Sequence, residues 1–243
     1  MPYADVNGLD MYYEEHGEGP PLLLLHGGSG TAEYFSESIP LFAARFRVIA
    51  AELMGHGRTG DDVARPFHYH DLAEDTAELM RVLGVERASI LGYSDGGVVA
   101  LDLAIHHPQR VTKLALTGAN SRNDGYTEET QEWGRSFDPE AEPVSEAYAR
   151  LSPDGPSHWP VFLARMKLMW AVEPDFTLEQ LQSIAAPTLL VVGDSDIVTP
   201  EHAVEMFRAI PGSQLCVVPN ARHGVLPQET ILRFLQEDGA GVM

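Results

Sequence analysis

Ile90-Leu91-Gly92-Tyr93-Ser94-Asp95-Gly96-Gly97 passes from an apolar strand-like run into an apolar helix-like run through a serine flanked by glycines. A serine carried on so sharp a turn has strained backbone angles, and the flanking residues must be small to avoid collision. Gly92 and Gly96 meet that demand. The turn lifts the Ser94 hydroxyl above the sheet, and the helix N-terminus behind it favours negative charge developing there. The five-residue pattern alone occurs by chance in many chains. Its specificity comes from context: residues 88–91 read as a buried strand, and residues 96–107 as an apolar helix that Pro108 ends. The competing role is a plain helix N-cap. The strand–turn–helix context and the partners downstream favour a nucleophile.

On both sides of this turn, strand and helix patterns alternate. Residues 9–15 read as an edge strand, and residues 21–25 as a short buried strand closed by Gly27-Gly28. Residues 31–45 are helical in pattern, and residues 47–51 form a second β-branched run. Residues 71–83 place Leu72, Leu79, Val82 and Leu83 on one helical face, with acids opposite. Residues 111–116 follow as a strand. This rhythm predicts an α/β fold with a mainly parallel, twisted sheet covered by helices on both faces.

The rhythm breaks after residue 120. Residues 121–183 turn to Glu, Pro, Trp and Met, with helical segments near 128–134, 144–151 and 159–172 separated by Pro139, Pro153 and Pro156. So long a loop without structure of its own is improbable, so a small helical cap is expected there. Alternation resumes in residues 184–243: strand 187–192, helix 202–210, strand 214–218 and helix 229–236. The core is therefore expected in two parts, 1–120 and 184–243.

A serine hydroxyl needs a base within hydrogen-bond reach, and the base needs an acid to fix its tautomer. His106 and His107 end the helix that begins at Ser94, roughly 15–20 Å away at 1.5 Å per residue. His158 lies in the insertion and His202 opens a helix. His223 follows the last strand on the loop Pro219-Asn220-Ala221-Arg222-His223-Gly224 and is the expected base. Gly193-Asp194-Ser195-Asp196 offers two carboxylates directly after a strand, of which Asp194 is also suited to bracing the turn. Asp124, beyond strand 111–116, ranks third. Oxyanion donors are expected from the Asp95 N–H and from His26-Gly27-Gly28-Ser29-Gly30, with Gly28 first and Ser29 next. His26 itself reads as a structural residue holding that loop.

His26-Gly27-Gly28, Gly55-His56-Gly57-Arg58, the serine turn, residues 187–196 and His223 together resemble the α/β-hydrolase superfamily over nearly the whole chain except the cap. Gly92-Tyr93-Ser94-Asp95-Gly96-Gly97, with Gly118-Ala119-Asn120, is similar to the branch that contains valacyclovir hydrolase, an amino-acid ester hydrolase. The resemblance implies a triad of Ser94, Asp196 and His223, and so prefers Asp196 over Asp194. It also implies that Asp95 holds a substrate ammonium group. The simpler role for Asp95 is an acid complementing the helix dipole. Ser29 and Tyr93 are expected beside Asp95 in the substrate site. The chain departs from the superfamily at Glu52, where Asp is usual ahead of the Gly-His-Gly turn, and at Arg222, where Gly often precedes the histidine.

Composition narrows the partners. Sixteen Lys+Arg against 36 Asp+Glu leave a net charge of -20 over 243 residues, a field that repels polyphosphates and draws cations. Nucleic acid is therefore not an expected partner; a small-molecule ester is. Cys216 is the only cysteine, so no intrachain disulfide can form, and its apolar run at 215–218 predicts a buried structural thiol. Residues 1–5 lack the pattern of a secretory signal, and apolar runs such as 22–25 are too short to cross a bilayer. No membrane association is expected, and a cytoplasmic location is.

Two motifs read as decoys. Gly55-His56-Gly57-Arg58-Thr59-Gly60 fits a dinucleotide pattern, but Asp61, Asp62 and Pro66 follow in place of a phosphate-facing helix, so no cofactor is expected. His68-Tyr69-His70-Asp71 suggests metal ligands, yet no second cluster has zinc spacing, and a helix start with exposed histidines is expected instead. Trp133, Trp159, Trp170, Met166 and Met169 suit either an apolar pocket or a small cap core.

The function expected is a cofactor-free serine esterase acting on small carboxylic, and by the resemblance α-amino, esters through an acyl-enzyme. The alternatives are carbon–carbon bond hydrolysis, aminopeptidase action, cofactor-free perhydrolase or haloperoxidase chemistry, and a weakly catalytic ligand receptor on the same scaffold.

Overall fold

The computed structural model describes residues 2–237. Its strands are β1 (Tyr3–Val6), β2 (Leu9–His16), β3 (Pro21–Leu25), β4 (Arg47–Ala51), β5 (Ala88–Tyr93), β6 (Val111–Thr117), β7 (Thr188–Gly193) and β8 (Gln214–Val218). They form one eight-stranded sheet in the order β1-β2-β4-β3-β5-β6-β7-β8. β1 and β2 pair antiparallel, as do β2 and β4, and every later pair is parallel.

The parallel strands are apolar on both faces because both are covered. Leu22, Leu24, Val48, Ala50, Leu91 and Ala115 pack with Phe35, Phe42, Ile231 and Phe234. Their neighbours Leu23, Leu25, Ile49, Ile90, Leu114 and Leu116 pack on the opposite face with Leu72, Leu79, Val98 and Leu101. Successive strand residues point to opposite faces, so a run of four leucines feeds two cores at once.

The helices are α1 (Ile39–Ala43), α2 (Tyr69–Val82), α3 (Asp95–His106), α4 (Glu128–Ser136), α5 (Glu146–Leu151), α6 (Trp159–Trp170), α7 (Leu178–Gln182), α8 (Pro200–Ala209) and α9 (Gln228–Gln236). Four of them, α4 to α7, fall between β6 and β7. The backbone there adds only isolated bridges, Arg122 with Asp175 and Tyr126 with Val198. Ion pairs from Arg150 to Glu33 and from Arg165 to Asp61, with His158 Nε2 2.8 Å from the covered Asp61 carboxylate, bring this stretch against the loops beyond β3 and β4. Among the described residues no helix is long and apolar enough to cross a membrane.

The structure differs from the sequence expectation in three places. The stretch 31–45 is not one helix but a 3-10 turn, Ala32–Phe35, followed by α1. Pro40 stands in the first turn of α1, where its missing N–H costs nothing, whereas inside a continuous helix it would break a bond. β1 escaped notice because only Ala4 and Val6 of its four residues face the core. Cys216 is half-buried on the edge strand β8, not sealed in the core.

The chain leaves β3 for β4 on one side and returns to β5 on the other. The loops after β3 and β5 therefore open a crevice at the carboxyl edge, where α/β sheets place ligands.

Candidate active site

Ser94 stands between β5 and α3 with φ 51° and ψ −121°, a positive-φ conformation that a residue with a side chain rarely holds. Its neighbours fix it. The Ser94 N–H donates to the Thr117 carbonyl at 2.9 Å, and the Ser94 carbonyl accepts from the N–H groups of Gly97 and Val98. A Cβ on Gly92 would lie 2.5 Å from the Gly96 carbonyl oxygen, and one on Gly96 only 2.2 Å from that of Leu25. Close backbone approach thus explains both flanking glycines.

His223 Nε2 lies 3.0 Å from Ser94 Oγ, and His223 Nδ1 lies 2.7 Å from Asp196 Oδ1. With Nδ1–H donating to the carboxylate, Nε2 is left to accept from the serine hydroxyl. Asp196 is buried and also accepts from the N–H groups of Val198 (3.2 Å) and Gly193 (3.3 Å). Burial pushes its carboxyl up. The bond and charge of His223, with the two backbone donors, outweigh that and hold it below the usual carboxylate range.

The histidine loop is tied down from several sides. Tyr34 Oη donates to the Gly224 carbonyl (2.8 Å), and Thr117 Oγ1 donates to that of Val225 (2.6 Å). The Tyr34 ring stacks on Tyr93 at 4.3 Å, and Tyr93 lies 5.0 Å from the His223 ring. Gly118, at φ +60°, passes so close that a Cβ would stand 2.7 Å from His223 Cε1.

Asp194 stands apart from this line. It is exposed and accepts from the N–H groups of Asn220 (2.9 Å) and Ala221 (3.2 Å), which lower its carboxyl below the usual range. It braces the turn that carries the histidine loop. Asp124 is exposed and paired with Arg122.

Asp95 opens α3, and its backbone N–H has no acceptor among the described residues; the same is true of Gly28 N–H. Both stand at the crevice beside Ser94, and Gly28 packs so close that a Cβ on it would meet Asp95 Oδ2 at 2.4 Å. Ser29 follows at φ 54°. The Asp95 carboxylate is buried and accepts from Tyr69 Oη (2.9 Å) and Trp170 Nε1 (2.8 Å). Burial raises its carboxyl above the usual range, with the two donors opposing. Asp95 has no ion-pair partner among the described residues.

Behind the Gly28 loop lies a sealed polar brace. His26 is fully buried, its Nδ1–H donating to the Gly27 carbonyl (2.8 Å) and its Nε2 accepting from Leu53 N–H (3.1 Å). Burial brings it down to about 4. His56, with its ring 4.9 Å from that of His26, is brought down to about 3 by burial first and by the neighbouring imidazole second. Glu52 is buried and accepts from Ala32 N–H (3.2 Å), Arg58 N–H and the Arg58 guanidinium (2.7 Å). The longer Glu at this position therefore ties the segment after the Gly28 loop to the Gly-His-Gly turn. Gly57 packs on the Glu52 carboxylate, where a Cβ would meet Oε2 at 2.3 Å, and Gly60 lies near the Asp154 carboxylate, a poor setting for a pyrophosphate.

The structure thus brings together Ser94, Asp196 and His223, and sets Gly28, Ser29, Tyr93 and Asp95 around them. Tyr69, Trp170, Tyr34 and Gly118 belong to the same surroundings. Sequence alone named only Trp170 among these as a pocket side chain. Tyr69 lay hidden in the His68–Asp71 tract, and nothing in the local pattern marks a ring whose hydroxyl reaches a residue 26 positions away.

Comparison with known proteins agrees with this architecture. The chain is 29% identical to “Putative carbamate hydrolase RutD” of Azorhizobium caulinodans, covering 92% of this chain and 91% of that protein. It is 30% identical to serine hydrolase BPHL of Mus musculus, covering 96% of this chain and 81% of that protein. A thermophilic esterase from Thermogutta terrifontis, solved with malate bound, superposes with a TM-score of 0.73 at 28% identity, over 97% of this chain and 94% of that one. The family model for the alpha/beta hydrolase fold matches residues 20–142, and the chain belongs to that family of hydrolases.

Proposed function

We propose that this hydrolase cleaves small carboxylic esters through an acyl-enzyme on Ser94. The observation that carries the proposal is the continuous line from Ser94 Oγ through His223 to the buried Asp196, with the serine held in a strained turn. Ser94 Oγ attacks the ester carbonyl while His223 Nε2 takes its proton. The N–H groups of Asp95 and Gly28 hold the resulting oxyanion. As the carbon–oxygen bond to the alcohol breaks, His223 returns that proton to the leaving oxygen. Water then attacks the acyl-enzyme with His223 again as base, and the acid departs. Residues 121–183 act as a cap, and Tyr93, Ser29 and Asp95 line the substrate site beneath it.

The test is Ser94→Ala in protein whose fold is verified by circular dichroism. Turnover of p-nitrophenyl acetate should fall by about 10⁶-fold, and a fluorophosphonate should no longer label the chain. Turnover retained by this variant would refute the assignment. A matched p-nitrophenyl carbamate in the same assay separates ester from carbamate preference, the latter suggested by the name of one relative.

A second reading concerns the substrate's charge. Asp95 is a buried carboxylate whose partners are neutral, and a buried anion gains most from a cation. In this reading the acyl group carries an α-ammonium that pairs with Asp95. An α-amino ester should then exceed its N-acetyl analogue in kcat/KM by about tenfold or more; equal values would sink the counter-ion role.

A further inference from the structure

The tract His68-Tyr69-His70-Asp71 has no zinc-spaced partner nearby in sequence, but the fold supplies one from a different helix. α2 and α3 pack side by side, and His70 in the first turn of α2 faces Asp102 and His106 in the last turns of α3. His70 Nδ1 lies 2.9 Å from Asp102 Oδ1, and His106 Nδ1 lies 3.0 Å from the same oxygen. The two imidazole rings are 4.6 Å apart, and one ligand atom from each of the three residues falls within 4.8 Å of the others. Asp102 is buried, whereas both rings keep an exposed edge.

Two pairs spaced i, i+4 therefore face each other: His70 with Glu74 on α2, and Asp102 with His106 on α3. Glu74 Oε1 stands 3.9 Å from His70 Nε2 and is held at 2.7 Å by His107 Nε2. Without an ion, two donors converge on a single carboxylate oxygen that is otherwise sealed.

We propose that His70, Asp102 and His106 form a binding site for a divalent transition-metal ion of the zinc class, clamping α2 to α3. The edge between ligands of tetrahedral zinc bound at about 2.0–2.1 Å is roughly 3.3 Å, so the observed Nδ1–Oδ1 distances need to widen by only a few tenths. The histidines then carry their hydrogens on Nε2 and present Nδ1 to the ion. Two imidazoles and one carboxylate suit zinc, nickel, cobalt or copper better than magnesium or calcium, which take oxygen sets. The fourth position is open to water or to Glu74 released from His107. The net charge of -20 raises the local cation concentration.

The site is structural and not part of the reaction. Tyr69, next to His70, hydrogen-bonds the carboxylate of Asp95 at the other end of α3, so an ion here would stiffen the helix pair beneath the serine turn.

The test is calorimetric titration of the chelator-stripped full chain with zinc, alongside His70→Gln and His106→Gln. Both rings are exposed enough for these variants to fold, with ester turnover in the absence of metal unchanged. The wild type should bind one equivalent through this site, and its thermal midpoint should rise by about 5 °C or more at zinc near 100 times the dissociation constant. Each substitution should weaken that binding by at least the ~10-fold typical of losing even an outer-shell partner. Zinc affinity unchanged in either variant overturns the proposal, as does absence of binding up to about 100 μM zinc. An equal response to magnesium overturns the metal class.

Discussion

His26, just beyond β3, and His223, on the loop beyond β8, both stand at the carboxyl edge of the sheet, but their ring nitrogens are committed differently. His26 gives both to the backbone, donating to Gly27 and accepting from Leu53, and it has no contact with water. His223 gives one to a carboxylate and the other to a serine hydroxyl, and it keeps part of its ring exposed. The first arrangement makes an imidazole into a spacer that holds the Gly28 loop. The second is the arrangement that the proposed mechanism uses to carry a proton. Residue type does not distinguish them; the partners and the depth do.

The strongest way to break this contrast is to remove what orients His223. Asp196→Asn should lower kcat for a p-nitrophenyl ester by about 10⁴-fold, because the amide favours the wrong tautomer, while leaving the fold intact. Asp194→Asn, two residues away, should change kcat by no more than about threefold, since that carboxylate only braces a turn. Similar losses in the two variants would mean that the acid has been misassigned.

On the sealed side the expected effect is on stability and its pH dependence. His26 and His56 have folded-state values of about 4 and about 3, below the ordinary 6.5. The unfolded chain therefore binds protons that the native state refuses. Their contribution is complete above pH 6.5 and is lost as pH falls toward their folded values. Each should cost the fold about 2 kcal/mol between pH 7 and pH 5. Glu52 and Asp95, whose carboxyls are raised by burial, act in the opposite direction, because the folded state takes up their protons before the unfolded chain does as pH falls. Urea midpoints at pH 7 and pH 5 check this. Coinciding midpoints would show that the brace is not held neutral.

The smallest expected effect lies between the two sides, at Asp95. In Asp95→Asn the amide oxygen can accept from Trp170 and the amide nitrogen can donate to Tyr69, so packing survives and only the charge is removed. Turnover of a neutral acetate ester should stay within about threefold, while any preference for an α-amino acyl group should vanish. A large loss on the neutral ester would make Asp95 part of the general machinery instead of a reader of charge.

Much of this was legible before folding. Gly92-Tyr93-Ser94-Asp95-Gly96 announces a sharp turn because its glycines answer a local steric demand. The leucines of β3 announce a doubly covered strand because burial on both faces removes alternation. The choice between Asp194 and Asp196 was not legible from spacing, since either can follow β7, and only the path of residues 219–224 decides which carboxylate meets the imidazole. The part of Tyr69, and the partners of Trp170 and Gly118, were beyond reach for the same reason. Their roles come from contacts between segments 26 to 105 positions apart along the chain.

Tyr34 gives the site a mechanical property. Its hydroxyl holds Gly224 and its ring lies flat on Tyr93, so one side chain from the segment after the Gly28 loop touches both the histidine loop and the serine turn. A fluctuation that swings His223 outward must shear an aromatic stack and break a hydrogen bond rooted just after the Gly28 loop. In the proposed mechanism, donor, base and nucleophile are thus correlated parts of one rigid frame, and the freedom they would otherwise lose at the transition state is already lost when the chain folds. Tolerance to sequence change should follow the same division: low along the Tyr34–Tyr93–Gly224 seam, and higher across the helices between β6 and β7, which the proposed function assigns to the substrate and not to the frame.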